Sequence, residues 1–458
     1  MDHVLDRLRK ATEGSQYEGH LFLVGGIVRD KLLDLRADED IDIVLEGDAG
    51  ELAEFLHRQG VAEHSPVTYP RFGTAMISVG GRQVELVGAR TESYDSTSRK
   101  PSTQPGTLYD DIPRRDFTIN TLLENLHTGE ILDLTGQGLS DLREGVIRTP
   151  VDPIVTFEDD PLRMLRAVRF STRFGFTIDP AVRRAILGCA PRLSIVSGER
   201  IREEFVKIVM DSKAAQGLEM LRVTGLLNQF APELAAMYGV TQNIYHVYDV
   251  WTHTLKMLES IPAESGIILR LVVLLHDVGK PRTRSVDETG FVHFYSHQVL
   301  GAEIARRIMR RLKFSNVQIN EVSFLISMHL RVGEYDHQWT DAAVRRLLRE
   351  AGDHLDDLVS LTEADKAAAN PAMPRADLDA FREHVARVRE GLAGRGISSP
   401  LDGREIIRLL GEQPGPRIGE IKAYLEHEIV EGNLLPGDKA AAEEMVMRNY
   451  GPRDSKGQ

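Results

Sequence analysis

The segment LFLVGGIVRDKLLDLRADEDIDIVLEGD, residues 21–48, leaves a chain few ways to fold. Leu21 to Val24 is a short apolar run that reads as a buried strand, and Gly25 and Gly26 break it. A strand that turns on glycine into a helix makes a phosphate cradle, because backbone N–H groups approach an anion closely where no Cβ intervenes. Asp40 and Asp42 then alternate with Ile41 and Ile43. In a strand this spacing puts both carboxylates on one face. Paired hard-oxygen ligands suit Mg2+, and Mg2+ beside a phosphate cradle points to phosphoryl or nucleotidyl transfer. An Asp-x-Asp alone is equally the solvated face of a surface strand, so the rest of the chain decides.

Residues 1–125 mix strand and helix patterns. Strands are expected at 20–24, 40–45, 74–79 and 82–88, and helices near 26–34 and 48–59, an α+β arrangement. Residues 92–113, rich in Ser, Thr, Pro and Asp, read as a long mobile loop. From about residue 155 the pattern is helical with few exceptions. A chain of 458 residues is too long for one ordinary domain. With 42% hydrophobic and 27% charged residues it has the composition of a globular protein. No stretch approaches the roughly 20 apolar residues of a membrane span. The N-terminal stretch has no apolar core of signal-peptide length. One cysteine, Cys189, fits a reducing compartment, so a cytoplasmic location without membrane contact is expected. A net charge of −13 counts against nucleic-acid binding. The basic residues are clustered, however, at Arg114–Arg115, at Arg163, Arg166, Arg169 and Arg173, and between Arg306 and Arg311.

Further segments accompany the Asp pair: RRDFTINTL from Arg114, the acidic Gly-rich turn DLTGQGLSDL from Asp133, DDPLRMLRAVRFSTRFGF from Asp159, and ERIREEFVKIV from Glu199. The third reads as a helix in which Asp160 and Arg163 share a face one turn apart. A plain salt bridge between the two is the structural alternative. Over residues 20–235 these segments resemble the ordered motif set of class II nucleotidyltransferases, the family of bacterial tRNA CCA-adding enzymes and poly(A) polymerases. The resemblance implies that Asp40 and Asp42 bind catalytic Mg2+. It implies that Gly25, Gly26, Arg29 and Asp30 hold the triphosphate, and that Arg114, Arg115, Asp116 and Asn120 contact the nucleotide's sugar and phosphates. Asp160 and Arg163 would select the base, with Arg166 and Arg169 continuing that nucleotide-binding face. The selection is sound chemistry: C and A share an exocyclic amine beside a ring-nitrogen acceptor, whereas G and U would leave groups unpaired. Glu85, alternating with apolar neighbours, is a candidate third acid.

A second set of chemical residues begins near 246. His253, the pair His276–Asp277 at the end of an apolar run, His297, His329 and Asp365 combine imidazoles with carboxylates, donors suited to a transition metal or a binuclear centre. The series resembles the HD phosphohydrolase family over residues 245–370. By that resemblance His253, His276, Asp277 and Asp365 form a primary metal site, and His297 and His329 add ligands for a second ion. His246, His293 and His337 read as ordinary histidines.

The expected architecture is a small mixed-sheet, polymerase β-like head at 1–145, a helical neck at 146–240, an HD domain at 241–370 and a helical tail at 371–458 with a tRNA-binding role. The implied function is addition of CCA to the tRNA 3′ end from CTP and ATP. The alternatives are an A-adding or CC-adding enzyme, a poly(A) polymerase, or an HD phosphohydrolase with an RNA-binding head. A full-length 92–113 loop favours terminal A addition by family analogy. The HD site's substrate and the oligomeric state stay open.

Overall fold

The computed structural model describes residues 2–35, 41–93, 102–392 and 396–451. It divides into two compact units, Met1–Ala235 with Ile308–Phe314, and Ala236–Arg307 with Ser315–Gln458.

The first unit opens with α1 (Asp2–Thr12), β1 (Leu21–Val24), α2 (Gly26–Leu32), β2 (Ile41–Leu45), α3 (Ala49–Arg58), β3 (Val67–Tyr69), β4 (Thr74–Val79) and β5 (Arg82–Gly88). It continues through β6 (Arg90–Ser93), β7 (Ser102–Pro105), α4 (Leu108–Asp111), β8 (Leu123–Asn125), β9 (Ile131–Leu132), α5 (Gly138–Glu144) and β10 (Val146–Ile147). Seven strands form a mixed sheet in the order β3-β4-β5-β2-β1-β8-β9, in which only the β2–β5 pair is parallel. Phe22, Val24, Val44, Ala89, Leu108 and Leu123 pack together as one core cluster. β2 is buried at every position but Asp42, the one polar residue of an otherwise apolar strand. Its register against β5 sets Asp42 beside Glu85. In a parallel pair such neighbours share a face, so the candidate third acid stands next to the second. Asp40 lies outside the described residues.

Of the expected loop at 92–113, residues 94–101 lie outside the described residues, and the described parts carry regular structure. β7 pairs with β6. Thr107 and Asp110 then form a capping box that starts α4, the reciprocal N-terminal hydrogen bonds that Ser/Thr–x–x–acid spacing favours.

The helical part of this unit comprises α6 (Pro153–Asp159), α7 (Leu162–Phe174), then the short strand β11 (Thr177–Ile178) paired with β10, α8 (Pro180–Cys189), α9 (Gly198–Val209), α10 (Ala214–Val223), α11 (Leu227–Phe230) and α12 (Pro232–Ala235). One expectation needs correction here. Asp160 is not inside the α7 helix but ahead of it, in extended backbone with φ −140°. The residue before a proline is pushed out of the helical region, and Pro161 follows.

The second unit is built from α13 (Val250–Ser260), α14 (Ile267–Leu275), α15 (Lys280–Thr283), the hairpin β12 (Arg284–Val286) and β13 (Val292–Phe294), α16 (His297–Arg311) up to Arg307, α17 (Asn316–Met328), α18 (Asp341–Ala351) and α19 (Leu355–Ala368). It ends with α20 (Leu378–Gly391), α21 (Gly403–Leu410), α22 (Pro416–Glu431) and α23 (Lys439–Tyr450). α14 carries an almost unbroken apolar sequence, IILRLVVLL, and is buried from Leu269 onward. That burial delivers His276 and Asp277 into the interior. Among the described residues no helix is long and apolar enough to cross a membrane.

Candidate active sites

Gly25 links β1 to α2 at φ +77°, a conformation that glycine adopts without steric cost. A Cβ at that position would stand 3.9 Å from Asp42 Oδ2, so the bare turn keeps the space before that carboxylate clear. Arg29, one turn into α2, is buried. Its Nε donates to Asp30 Oδ1 at 2.7 Å and its Nη1 to Asn120 Oδ1 at 2.6 Å. Its guanidinium also lies 5.0 and 4.8 Å from the ring centres of Phe170 and Phe174. Burial pushes the Arg29 pKa down, and the adjacent Asp30 carboxylate opposes that shift.

The RRD segment is held from both sides. Asp111, buried at the end of α4, accepts from Arg114 Nε at 2.5 Å and Arg115 Nε at 2.9 Å. Asp116 Oδ1 accepts from Phe117 N at 2.8 Å and Asn120 Nδ2 at 2.9 Å. Its Oδ2 meets Arg166 through Nε at 2.7 Å and Nη2 at 2.6 Å. Burial alone would raise the Asp116 carboxyl. Arg166 and Asn120 outweigh it and hold the group at about 2.

α7 lays Arg163, Arg166, Arg169 and Arg173 along one side at spacings of three and four, the separation at which helix side chains become neighbours. α9 opposes it with Arg200, Glu204 and Lys207, again one face. Glu204 takes Arg169 Nε at 2.6 Å, and Arg200 Nη2 donates to Asp160 Oδ2 at 2.7 Å. Arg163 is buried, with Nη1 3.3 Å from Thr156 O and Nη2 on Arg114 O. Among the described contacts no ion pair joins Asp160 to Arg163.

These side chains line a cavity of about 470 Å³ that carries nine cationic side chains and three carboxylates, Asp42, Asp116 and Asp160. The first site's described residues Gly25, Gly26, Arg29, Asp42, Arg114, Arg115, Asp116, Asn120, Asp160, Arg163, Arg166 and Arg169 all line it. Asp30 does not. It is fully buried behind the wall, where its two oxygens hold Arg29 and, at 3.2 Å, Arg173. Phe170, Arg200 and Lys207 are wall residues not singled out from sequence, and Arg173 is there only as a member of the basic cluster. Buried Asp111 and Glu204 are the anchors that sequence reading missed.

The second unit gathers five of its histidines, His246, His276, His293, His297 and His329, round a cavity of about 340 Å³. His276, His297 and His329 each place Nδ1 2.7 or 2.8 Å from the carbonyl three residues earlier, those of Val273, Phe294 and Ile326. A carbonyl only accepts, so Nδ1 carries a proton, and in the neutral ring Nε2 is the atom left with a lone pair. The Nε2 atoms converge. That of His276 lies 3.1 Å from Asp277 Oδ2, that of His297 3.4 Å from Asp277 Oδ1, and those of His297 and His329 are 3.2 Å apart. His253 Nε2 is 3.1 Å from Asp365 Oδ1. Burial lowers His329 to about 3, which keeps its ring neutral.

The buried atoms His253 Nε2, His276 Nε2 and both Asp277 oxygens have no partner in hydrogen-bond geometry. Lys280 Nζ stands 2.6 Å from Asp277 Oδ2, but the two imidazole nitrogens and Asp277 Oδ1 have no such cation, a costly state unless one completes it. Among the described residues three groups have ligand atoms within 4.8 Å of one another: His246, His253 and Asp365; His253, His276 and Asp277; Asp277, His297 and His329. This donor set of imidazole nitrogen and carboxylate oxygen fits one or two divalent ions. All six expected ligands are present in it. His246, read from sequence as ordinary, joins them. It sits in a loop before α13, where no periodicity marks it. His293 lines the cavity but is paired with Asp287 at 2.7 Å.

Residues 21–148 match the poly A polymerase head domain, 175–238 the probable RNA- and SrmB-binding site of polymerase A, and 243–370 the HD domain. An A-adding tRNA nucleotidyltransferase of Deinococcus radiodurans is 35% identical over 74% of this chain and 79% of its own. A CC-adding tRNA nucleotidyltransferase of Thermus thermophilus is 32% identical over 95% of both chains. The chain belongs to the tRNA nucleotidyltransferase family. Its fold is that of the family's solved members. The Bacillus stearothermophilus CCA-adding enzyme in complex with CTP superposes with a TM-score of 0.66 at 23% identity, over 98% of this chain and 96% of that one. The Thermotoga maritima CCA-adding enzyme complexed with tRNA gives 0.59 at 21% identity, over 97% and 94%.

Proposed function

We propose that this chain adds CCA, or part of it, to the 3′ end of tRNA from CTP and ATP, releasing pyrophosphate, at the cationic cavity of the first unit. The observation that carries the reading is the wall itself: nine cations round a half-buried Asp42, with a glycine turn beside it. A nucleoside triphosphate brings several negative charges, and fixed guanidiniums stabilise them without reorganising. Asp111, Asp116, Asp160 and Glu204 fix the arginine forks before the nucleotide arrives. Asp42, with Asp40 completing the pair, is assigned to Mg2+, which when bound polarises the attacking 3′-hydroxyl and neutralises the leaving pyrophosphate. Asp160 accepts from the exocyclic amine of C or A and Arg163 donates to the ring nitrogen, with Arg200 orienting Asp160. Poly(A) addition on the same scaffold is an outcome that the product lengths separate.

A divided pathway has specific support as a second reading. Two of the relatives that match along most of the chain are named as an A-adding and a CC-adding enzyme. The second cavity is assigned to metal-dependent phosphoester hydrolysis, with His253, His276, Asp277 and Asp365 as primary ligands of a divalent transition metal and His246, His297 and His329 beside them. The single cysteine, half-buried Cys189, supports a reducing, cytoplasmic setting.

Two single substitutions test the assignment. Asp42→Ala is expected to reduce addition of A to a CC-ended tRNA by at least a thousandfold and to spare hydrolysis of bis(p-nitrophenyl) phosphate with Mn2+. Asp277→Ala should do the reverse. Loss of both activities in either variant would refute two separate sites.

A further inference from the structure

The cavity of the second unit holds an arginine that the histidine and aspartate motifs leave without a task. Arg375 stands beyond the HD-matched segment, in the stretch between α19 and α20. Its Nη2 donates to Tyr245 O at 2.6 Å, and its guanidinium lies 5.9 Å from that ring's centre. Its Nη1 is a long 3.4 Å from Asp365 Oδ2, and its Nε is buried without a partner. The stretch that carries it is anchored, because Asn370 donates from its backbone N to Tyr245 O at 2.9 Å and from Nδ2 to Ile244 O at 2.8 Å. The other Asp365 oxygen faces His253. One carboxylate is therefore shared between the imidazole cluster and a guanidinium.

We propose that Arg375 binds the phosphate of this site's substrate and is held by Asp365 until a divalent ion claims that carboxylate. The proposal rests on the metal-dependent reading of the cluster. A planar guanidinium presents parallel N–H donors that match two phosphate oxygens. The other long-chain cation on the wall, Lys280, is committed: its Nζ donates to Gln242 Oε1 at 2.7 Å and lies 2.6 Å from Asp277 Oδ2. Arg375 keeps an unused donor and a loose one, which is what an anion site needs and a purely structural arginine does not.

The test titrates Mn2+, then inorganic phosphate, into the full chain and into R375A and R375K by calorimetry. R375A is expected to bind Mn2+ at least as tightly as the parent, since a competitor for Asp365 is gone, and to bind phosphate at least tenfold more weakly once loaded. R375K should fall between, having charge without the fork. Equal phosphate affinity in the parent and R375A, both metal-loaded, overturns the role of Arg375 and leaves the metal reading standing. Loss of Mn2+ binding in R375A shows a structural role and overturns the proposal. A parent that binds no Mn2+ overturns the metal reading, and the proposal falls with it. A loaded parent that binds no phosphate overturns the proposal alone.

Discussion

Asp116 shows how the first site is held together one residue at a time. Its carboxylate accepts from Phe117, Asn120 and Arg166 and is buried with a pKa of about 2, below the ordinary 3.8. Between those two values the unfolded chain binds more protons than the folded one, so stability rises with pH there. The contribution is complete above pH 4, amounts to about 2 kcal/mol, and is lost as pH falls through 2. Asp116→Asn should cost a similar amount at pH 6 in urea unfolding and flatten the dependence of stability on pH between 4 and 2. An unchanged slope in that window would show that the charge on Asp116 is not what Arg166 leans on. The variant should also raise the KM for ATP several-fold, because Arg166 loses its fixed partner.

At the scale of elements, α7 supplies the arginines and α9 supplies their positioning. Arg200 acts through Asp160, so Arg200→Ala is expected to raise misincorporation of U and G relative to A by about tenfold, the discrimination of roughly 1–3 kcal/mol that a loosened contact surrenders, while kcat for ATP changes little. Single-nucleotide addition with each of the four triphosphates measures it. A uniform fall for all four would instead make Arg200 a general phosphate contact. The α7 face was legible from sequence because Arg163, Arg166 and Arg169 repeat at helical spacing. The α9 contribution was not, since Glu204 earns its role only by meeting Arg169 across a helix pair. Asp160 leaves the helix that its spacing to Arg163 suggests, because Pro161 excludes its predecessor from the helical region. The histidine–aspartate cluster was readable because His276–Asp277 follows an apolar run too long to be surface. His246 was not readable, because a loop histidine acquires its partners from the fold alone. Residues 102–105 depart from the loop expectation for a related reason: Ser, Thr and Pro look like loop, yet β7 gains order by pairing with β6.

At the scale of the whole molecule, the chain does not separate at a single point. Residues Ile308–Phe314 belong with the first unit although they follow much of the second. There Arg311 Nη2 pairs with Glu233 at 2.7 Å and Arg202 donates to Lys313 O. Gly198, the first residue of α9, approaches so closely that an added Cβ would lie 2.3 Å from the Arg311 carbonyl oxygen. Backbone cannot yield as a side chain does, so Gly198→Ala is expected to destabilise this unit by about 1–3 kcal/mol, read as a lower melting temperature. An unchanged melting temperature would show that the return segment is not needed there.

The central claim is stepwise nucleotide addition to tRNA in the arginine-lined cavity. Its most direct test offers Mg2+ with CTP, ATP or both to three synthetic tRNAs ending at the discriminator base, at C and at CC, with products resolved to one nucleotide. Orderly addition of C, C and A to the shortest substrate is the predicted result. Addition of A alone to the CC-ended tRNA, or of CC alone to the shortest, would place the chain in a divided pathway. No addition to any of the three would contradict the assignment.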